Sequence, residues 1–147
     1  MTNSVKANST KATASKAVTV NVSHGVGRRK SSVARAWLSR GNGKLTVNGK
    51  VYTEYFNTDV TRSAAYSPFS VCPELSAYDA EINVVGGGLS GQADATKLAI
   101  ARAVVAHYAE LKPVLRSAGL VTVDSRLKER KKYGQKAARR KFQFVKR

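Results

Sequence analysis

Residues 78–109, YDAEINVVGGGLSGQADATKLAIARAVVAHYA, decide the fold, because two periodicities meet there across one glycine loop. Tyr78–Val85 alternates Ala80, Ile82 and Val84 with Asp79, Glu81 and Asn83, the period-two pattern of a half-buried strand. Gly86-Gly87-Gly88 stops that strand. From Gln92 to about Ala109, Leu98, Ala101, Val105 and Tyr108 recur at spacings of three and four, an apolar helical stripe. The chain is therefore a mixed α and β protein, with a tight turn packing helix against strand.

Upstream, residues 18–23 alternate Val18, Val20 and Val22 with polar residues, and Gly25 and Gly27 are expected to break that strand. A second strand is expected over 33–39, anchored by Trp37. The turn Gly41-Asn42-Gly43 leads to a short strand at 44–47 and then to Asn48-Gly49, a strong hairpin dipeptide. These pieces describe a small basic β-meander. Residues 51–56 and 59–66 read as short helices, the second capped by Asn57 or Thr58 and ended by Pro68. Downstream, Pro113 suits the first turn of a helix reaching Ala118, with Gly119 as its C-terminal cap. Residues 120–123 could add a short strand.

Gly86, Gly88 and Gly91 satisfy the G-x-G-x-x-G pattern of dinucleotide-binding loops. The acid about twenty residues on is Glu110, at a helix end, and no further βαβ units follow to build a nucleotide-binding sheet. No Gly-Lys-Ser/Thr makes it a P-loop. No cofactor is expected. The exposed amides of Gly87, Gly88 and Ser90 at a helix N-terminus could instead meet an RNA phosphate.

Charge is distributed in blocks over the 147 residues, whose net charge is +17. Residues 25–53 carry Arg28, Arg29, Lys30, Arg35, Arg40, Lys44 and Lys50 and no acid. Residues 54–110 are net acidic. The last 22 residues, 126–147, hold eleven Lys or Arg against the single acid Glu129. A segment so charged and so poor in aliphatic residues cannot build a core and repels itself unless a polyanion neutralises it. Phe142, Phe144 and Val145 sit among those cations, a mixture suited to stacking on bases. Fully extended, the segment would reach roughly 70–80 Å. Residues 1–17, rich in Ser, Thr, Ala and Lys, are expected to be disordered, a solvated extension being favoured over an organelle transit peptide.

Enzyme chemistry finds little support. His24 and His107 lie in different elements and form no metal-binding spacing, and the lone Cys72 has no basic neighbour to activate it. No apolar run is long enough to span a bilayer, and the basic segment lacks the apolar stripe of an interfacial helix. No metal and no membrane partner are expected. A DNA-compacting module would place a cationic helix in a groove, but residues 92–109 carry only Lys97 and Arg102.

Several segments together resemble the bacterial-type small-subunit ribosomal protein nine family. They are Gly27-Arg28-Arg29-Lys30-Ser31-Ser32-Val33-Ala34-Arg35, Gly43-Lys44-Leu45-Thr46-Val47-Asn48-Gly49, Glu54-Tyr55-Phe56, Gly86-Gly87-Gly88-Leu89-Ser90-Gly91-Gln92, Ile100-Ala101-Arg102-Ala103 and Glu129-Arg130-Lys131-Lys132-Tyr133-Gly134. The terminal Lys146-Arg147 completes the set, in family order over about residues 25–147. The resemblance implies an α+β body over 18–125, a two-layer α/β sandwich like the second domain of ribosomal protein five. It also implies an extended basic tail over 126–147 that threads ribosomal RNA in the head of the small subunit, beside neighbouring head proteins. Arg28, Arg29, Lys30, Arg35, Arg130, Lys131, Lys132, Arg139, Arg140 and Lys141 would hold ribosomal RNA, and Lys146 and Arg147 would reach P-site transfer RNA. The family commonly ends in Pro-Gln-Phe-Ser-Lys-Arg, whereas Phe142 and Val145 stand here in place of the Pro and the Ser. A ribosome in a bacterial cytoplasm is the expected location, with an organelle as the alternative.

Overall fold

A computed structural model describes residues 21–144. Strands β1 (Asn21–Arg29) and β2 (Ser32–Arg40) form an antiparallel hairpin. Strands β3 (Leu45–Val47) and β4 (Lys50–Val51) form a second, turning at Asn48-Gly49, both with positive φ as the dipeptide predicts. Helices α1 (Tyr52–Tyr55) and α2 (Asp59–Val71) lead to β5 (Tyr78–Val85), which is followed by α3 (Leu89–His107) and α4 (Lys112–Ser117). The expected disorder of residues 1–17, and Val18 and Val20, lie outside the described residues.

The five strands do not form a meander. Their order is β1-β2-β5-β3-β4, so β5 inserts between β2 and β3, antiparallel to the first and parallel to the second. Local turn signals cannot reveal this pairing, because β5 arrives after two intervening helices. The side chain of Asn48 stabilises the insertion by extending the β3 ladder. Its Nδ2 donates to the Val84 carbonyl at 3.0 Å, and its Oδ1 accepts the Val84 N–H at 2.9 Å. Asp79 closes the β2–β3 turn by accepting the N–H groups of Asn42 and Lys44, each at 2.8 Å.

The alternation read in β5 is the alternation observed. Ala80, Ile82 and Val84 are buried against the helices with Ala34, Ala36 and Leu38 of β2 and Leu45 and Val47 of β3. The opposite face carries His24, Arg28, Arg35, Trp37, Glu81 and Asn83, exposed or half-buried. The arrangement is a helical layer on one face of a mixed sheet.

Gly25 and Gly27 do not break β1. They lie on the face toward α3, where a Cβ on Gly25 would stand 2.3 Å from the Ala99 carbonyl oxygen. One on Gly27 would stand 2.1 Å from that of Ala95. Such close backbone approach, with alanines 95, 99 and 103 as the facing residues, overrides the weak strand propensity of glycine. Ser23 fastens the same seam, its Oγ donating to the Ala103 carbonyl at 2.9 Å.

Other expectations shift for similar reasons. α2 continues through Pro68, whose missing N–H would orphan the Ala64 carbonyl, but Ser67 Oγ donates to that carbonyl at 2.8 Å. Thr58 occupies the N-cap position without a side-chain bond, and Asn57 does not cap. α3 starts at Leu89 and buries a face wider than the expected stripe, including Ala93, Ala95, Ala99 and Ala103, while Tyr108 falls just beyond its end. Gly119 caps α4 with φ +70°, its N–H bonded to Arg116 and that of Leu120 to Leu115. Residues 120–123 form no strand. Leu120 instead plugs into the core. No helix among the described residues is long and apolar enough to cross a membrane.

Candidate nucleic-acid interface

The tip of the β1–β2 hairpin, the glycine loop and the root of the basic C-terminal segment meet at one end of the sheet. The tip turns at Lys30 and Ser31, with Lys30 at φ 54°, a backbone conformation uncommon outside glycine. Ser32 Oγ beneath it donates to the Gly86 carbonyl at 3.0 Å. A Cβ on Gly86 would lie 2.6 Å from the Ser31 carbonyl oxygen and one on Gly87 2.0 Å from the Ser32 hydroxyl, and both residues have positive φ, so the close approach of loop to hairpin favours glycine. Gly87, Gly88 and Ser90 remain exposed where α3 begins, and the first turn of that helix contains no acid. The first N–H groups of such a helix have no partner within the helix itself. Across an open cleft of about 820 Å³, Lys30 and Ser31 face Arg126, Leu127 and Lys128.

Arg28, Lys30 and Arg35 are exposed, Arg28 and Arg35 on the open face of the sheet. Arg29 is placed differently. Its side chain is 16% exposed and turns inward, Nη2 lying 2.9 Å from Asp124 Oδ2 and Nε 3.6 Å from Asp94 Oδ2. Its Nη1 donates to the Arg126 carbonyl at 3.2 Å. Asp124 also receives the Arg126 guanidinium and the Arg126 N–H. These bonds, the Arg126 side chain first, hold its carboxyl well below the usual carboxylate range, and Arg29 adds to the effect.

Beyond Leu120 the described chain has no helix or strand except an isolated bridge pairing Gln135 with Lys141. The basic segment is not straight. Gly134 turns it at φ +68°, Lys136 N–H donates to the Arg140 carbonyl at 2.8 Å, and Arg139 pairs with Glu129. That pair lowers the Glu129 pKa. The loop so closed shortens the reach below that of an extended chain. Arg130, Lys131, Lys132, Arg140 and Lys141 are exposed, and among the described residues no carboxylate lies within ion-pairing distance of them. Tyr133 and Phe144 are fully exposed beside them. Lys146 and Arg147 lie outside the described residues.

Sequence reasoning missed Asp94 and Asp124. Their signal was present but faint: Asp124 and Glu129 are the only acids after Glu110, and each accepts an arginine. Cys72 is buried, and that burial raises its thiol pKa, as befits a small apolar residue. His107 is exposed near the end of α3, its Nε2 3.3 Å from the Tyr78 hydroxyl. Among the described residues no cluster of His, Cys, Asp and Glu could hold a metal.

Residues 27–147 match the family model described as ribosomal protein S9/S16. The chain is 48% identical over 128 residues to the small ribosomal subunit protein uS9 of Cytophaga hutchinsonii, covering 87% of this chain and all of that protein. It is 51% identical over 122 residues to uS9 of Chlorobium chlorochromatii, covering 83% and 95%. With uS9 of Christiangramia forsetii it shares 47% identity over 128 residues, 87% of this chain and all of the relative. An α+β body with cationic surfaces at one end, matched by this family model and these relatives over most of its length, is that of a structural ribosomal protein. The chain belongs to the ribosomal protein S9/S16 family. It is accordingly a constituent of the small subunit, working against ribosomal RNA and neighbouring ribosomal proteins, in the ribosome of the bacterial cytoplasm.

Proposed function

We propose that the body docks on ribosomal RNA in the subunit head through Arg28, Lys30 and Arg35 and through the amides of Gly87, Gly88 and Ser90. Residues 126–141 thread between RNA segments, with Arg130, Lys131, Lys132, Arg139, Arg140 and Lys141 neutralising phosphates. Lys146 and Arg147 reach the P-site transfer RNA, and other proteins of the head flank the body. The body corresponds in layout to the second domain of ribosomal protein five, a helical layer on one face of a mixed sheet.

The observation that carries this reading is the C-terminal segment itself. Six of its cations, Arg130, Lys131, Lys132, Lys136, Arg140 and Lys141, are exposed without a carboxylate partner among the described residues, and they crowd into a loop of about a dozen residues. Mutual repulsion makes that loop unfavourable in water, and phosphates placed among the cations reverse the sign of the interaction. A DNA-compacting role fits less well, since α3 spends most of its surface on the core and cannot lie along a groove.

Two measurements test the proposal. If about eight basic-segment cations contact phosphate, the logarithm of affinity for the cognate RNA falls with log salt at a slope of about −6 to −7. A slope shallower than about −2 overturns the RNA-threading role. Removal of Lys146 and Arg147 should leave subunit assembly intact and weaken P-site transfer RNA by about 1–3 kcal/mol, the range of charge-assisted hydrogen bonds. Unchanged transfer-RNA affinity in subunits carrying the truncation refutes that contact.

A further inference from the structure

We propose that Arg29 is a positioning residue, clasped between Asp94 of α3 and Asp124 at the root of the basic segment, and that this clasp fixes the direction in which the segment leaves the body. The inference rests on the RNA-threading role proposed above. It assigns Arg29 a task different from that of its neighbours Arg28 and Lys30.

A guanidinium has five N–H donors in a rigid fork. In Arg29 all three nitrogens face protein acceptors: Nε toward Asp94, Nη2 toward the Asp124 carboxylate, Nη1 toward the Arg126 carbonyl. With the side chain 16% exposed, little of the fork remains for a phosphate. The clasp belongs to a line of alternating charge. Lys97 Nζ lies 3.4 Å from Asp94, Asp94 faces Arg29, Arg29 pairs with Asp124, and Asp124 pairs with Arg126. That line joins β1, α3 and the basic segment, which are far apart in sequence.

The need for it follows from charge. Arg126 and Lys128 stand across a cleft from Arg29 and Lys30, so like charges push the root of the segment away from the hairpin. Two carboxylates placed around Arg29 reverse that repulsion at the one point where the chain leaves the core. Leu120 plugs the core four residues earlier, and Gly119 turns the chain toward it from α4. Between plug and clasp the path of residues 120–126 is held at both ends. RNA then meets a segment whose first residues are already aimed.

Charge arithmetic and the clasp predict opposite signs for one substitution. Asp124→Asn removes a negative charge from an RNA-binding surface and releases two arginines, so if charge alone mattered binding would tighten and its salt slope would steepen by about 1. The clasp predicts weaker binding, by roughly tenfold at every salt concentration, because ordering a residue or two of the root is deferred to the binding step. The slope stays that of the wild type. Arg29→Gln should behave in the same way, whereas Arg28→Gln or Lys30→Gln should make the slope shallower by about 1. Unchanged or tighter binding by Asp124→Asn overturns the proposal, as does a shallower slope for Arg29→Gln.

A second measurement needs no RNA. Nitroxide labels on Ser117→Cys and Lys128→Cys in the full chain, where buried Cys72 resists labelling, report the distance from α4 to the segment root. A narrow distribution that broadens with Asp124→Asn supports the clasp, and a broad one in the otherwise wild-type chain sinks it. If the clasp passes this test while the wild-type salt slope is shallow, the RNA-threading role fails and the clasp stands.

Discussion

The seam between β1 and α3 and the basic segment after residue 125 both depend on glycine, and for opposite reasons. In the seam, Gly25 and Gly27 leave out a side chain so that two backbones can touch, and nothing there can yield. In the segment, Gly134 supplies a left-handed turn in open space, with no atom beyond its own chain neighbours within 4 Å of where its Cβ would be. One glycine is demanded by what surrounds it and the other by how the chain must bend. The body is specified by packing, and the segment by backbone conformation and charge alone.

Glycine-to-alanine substitutions can break that contrast if it is wrong. Gly27→Ala should have the largest effect, destabilising the body by about 3 kcal/mol or more, at or above the upper end of overpacking costs, because the clash is with helix backbone. Chemical denaturation of the full chain measures it. Gly119→Ala meets no neighbour but keeps φ +70°, so only backbone strain applies. It should cost about 1 kcal/mol by the same assay. Gly134→Ala carries similar strain at φ +68° yet should leave the denaturation midpoint of the body unchanged. Its effect should appear in RNA affinity alone, weakened by roughly fivefold. A shift in body stability from Gly134→Ala would show that the segment packs on the body beyond its root at Arg126.

The difference between the regions also explains what could be read in advance. β5 and α3 were legible because each carries one unbroken period, and β5 keeps to it residue by residue. β1 is longer than its local sequence suggests, because the preference of glycine alone takes no account of the alanines of α3, some seventy residues away. The meander was expected from adjacent turns, and β5 entered it from a distance. Pro68 looked like a stop because the hydroxyl that rescues Ala64 lies one residue before it, within reach only once the helix has formed. In the interface, exposure of Arg28, Lys30 and the cations at 130–132 followed from composition. Arg29 did not, because its partners Asp94 and Asp124 lie 65 and 95 residues further along the chain.

Trp37 is the only tryptophan, and it sits half-buried on the open face of the sheet with its ring 6.2 Å from that of His24. The basic segment contributes tyrosine and phenylalanine but no indole. The molecule therefore carries a single native chromophore excitable near the red edge of protein absorption, located on the body. Its emission should respond to whatever lies down on the sheet and ignore what the segment grips. Docking of the body could then be timed apart from the grip of the segment, without a label.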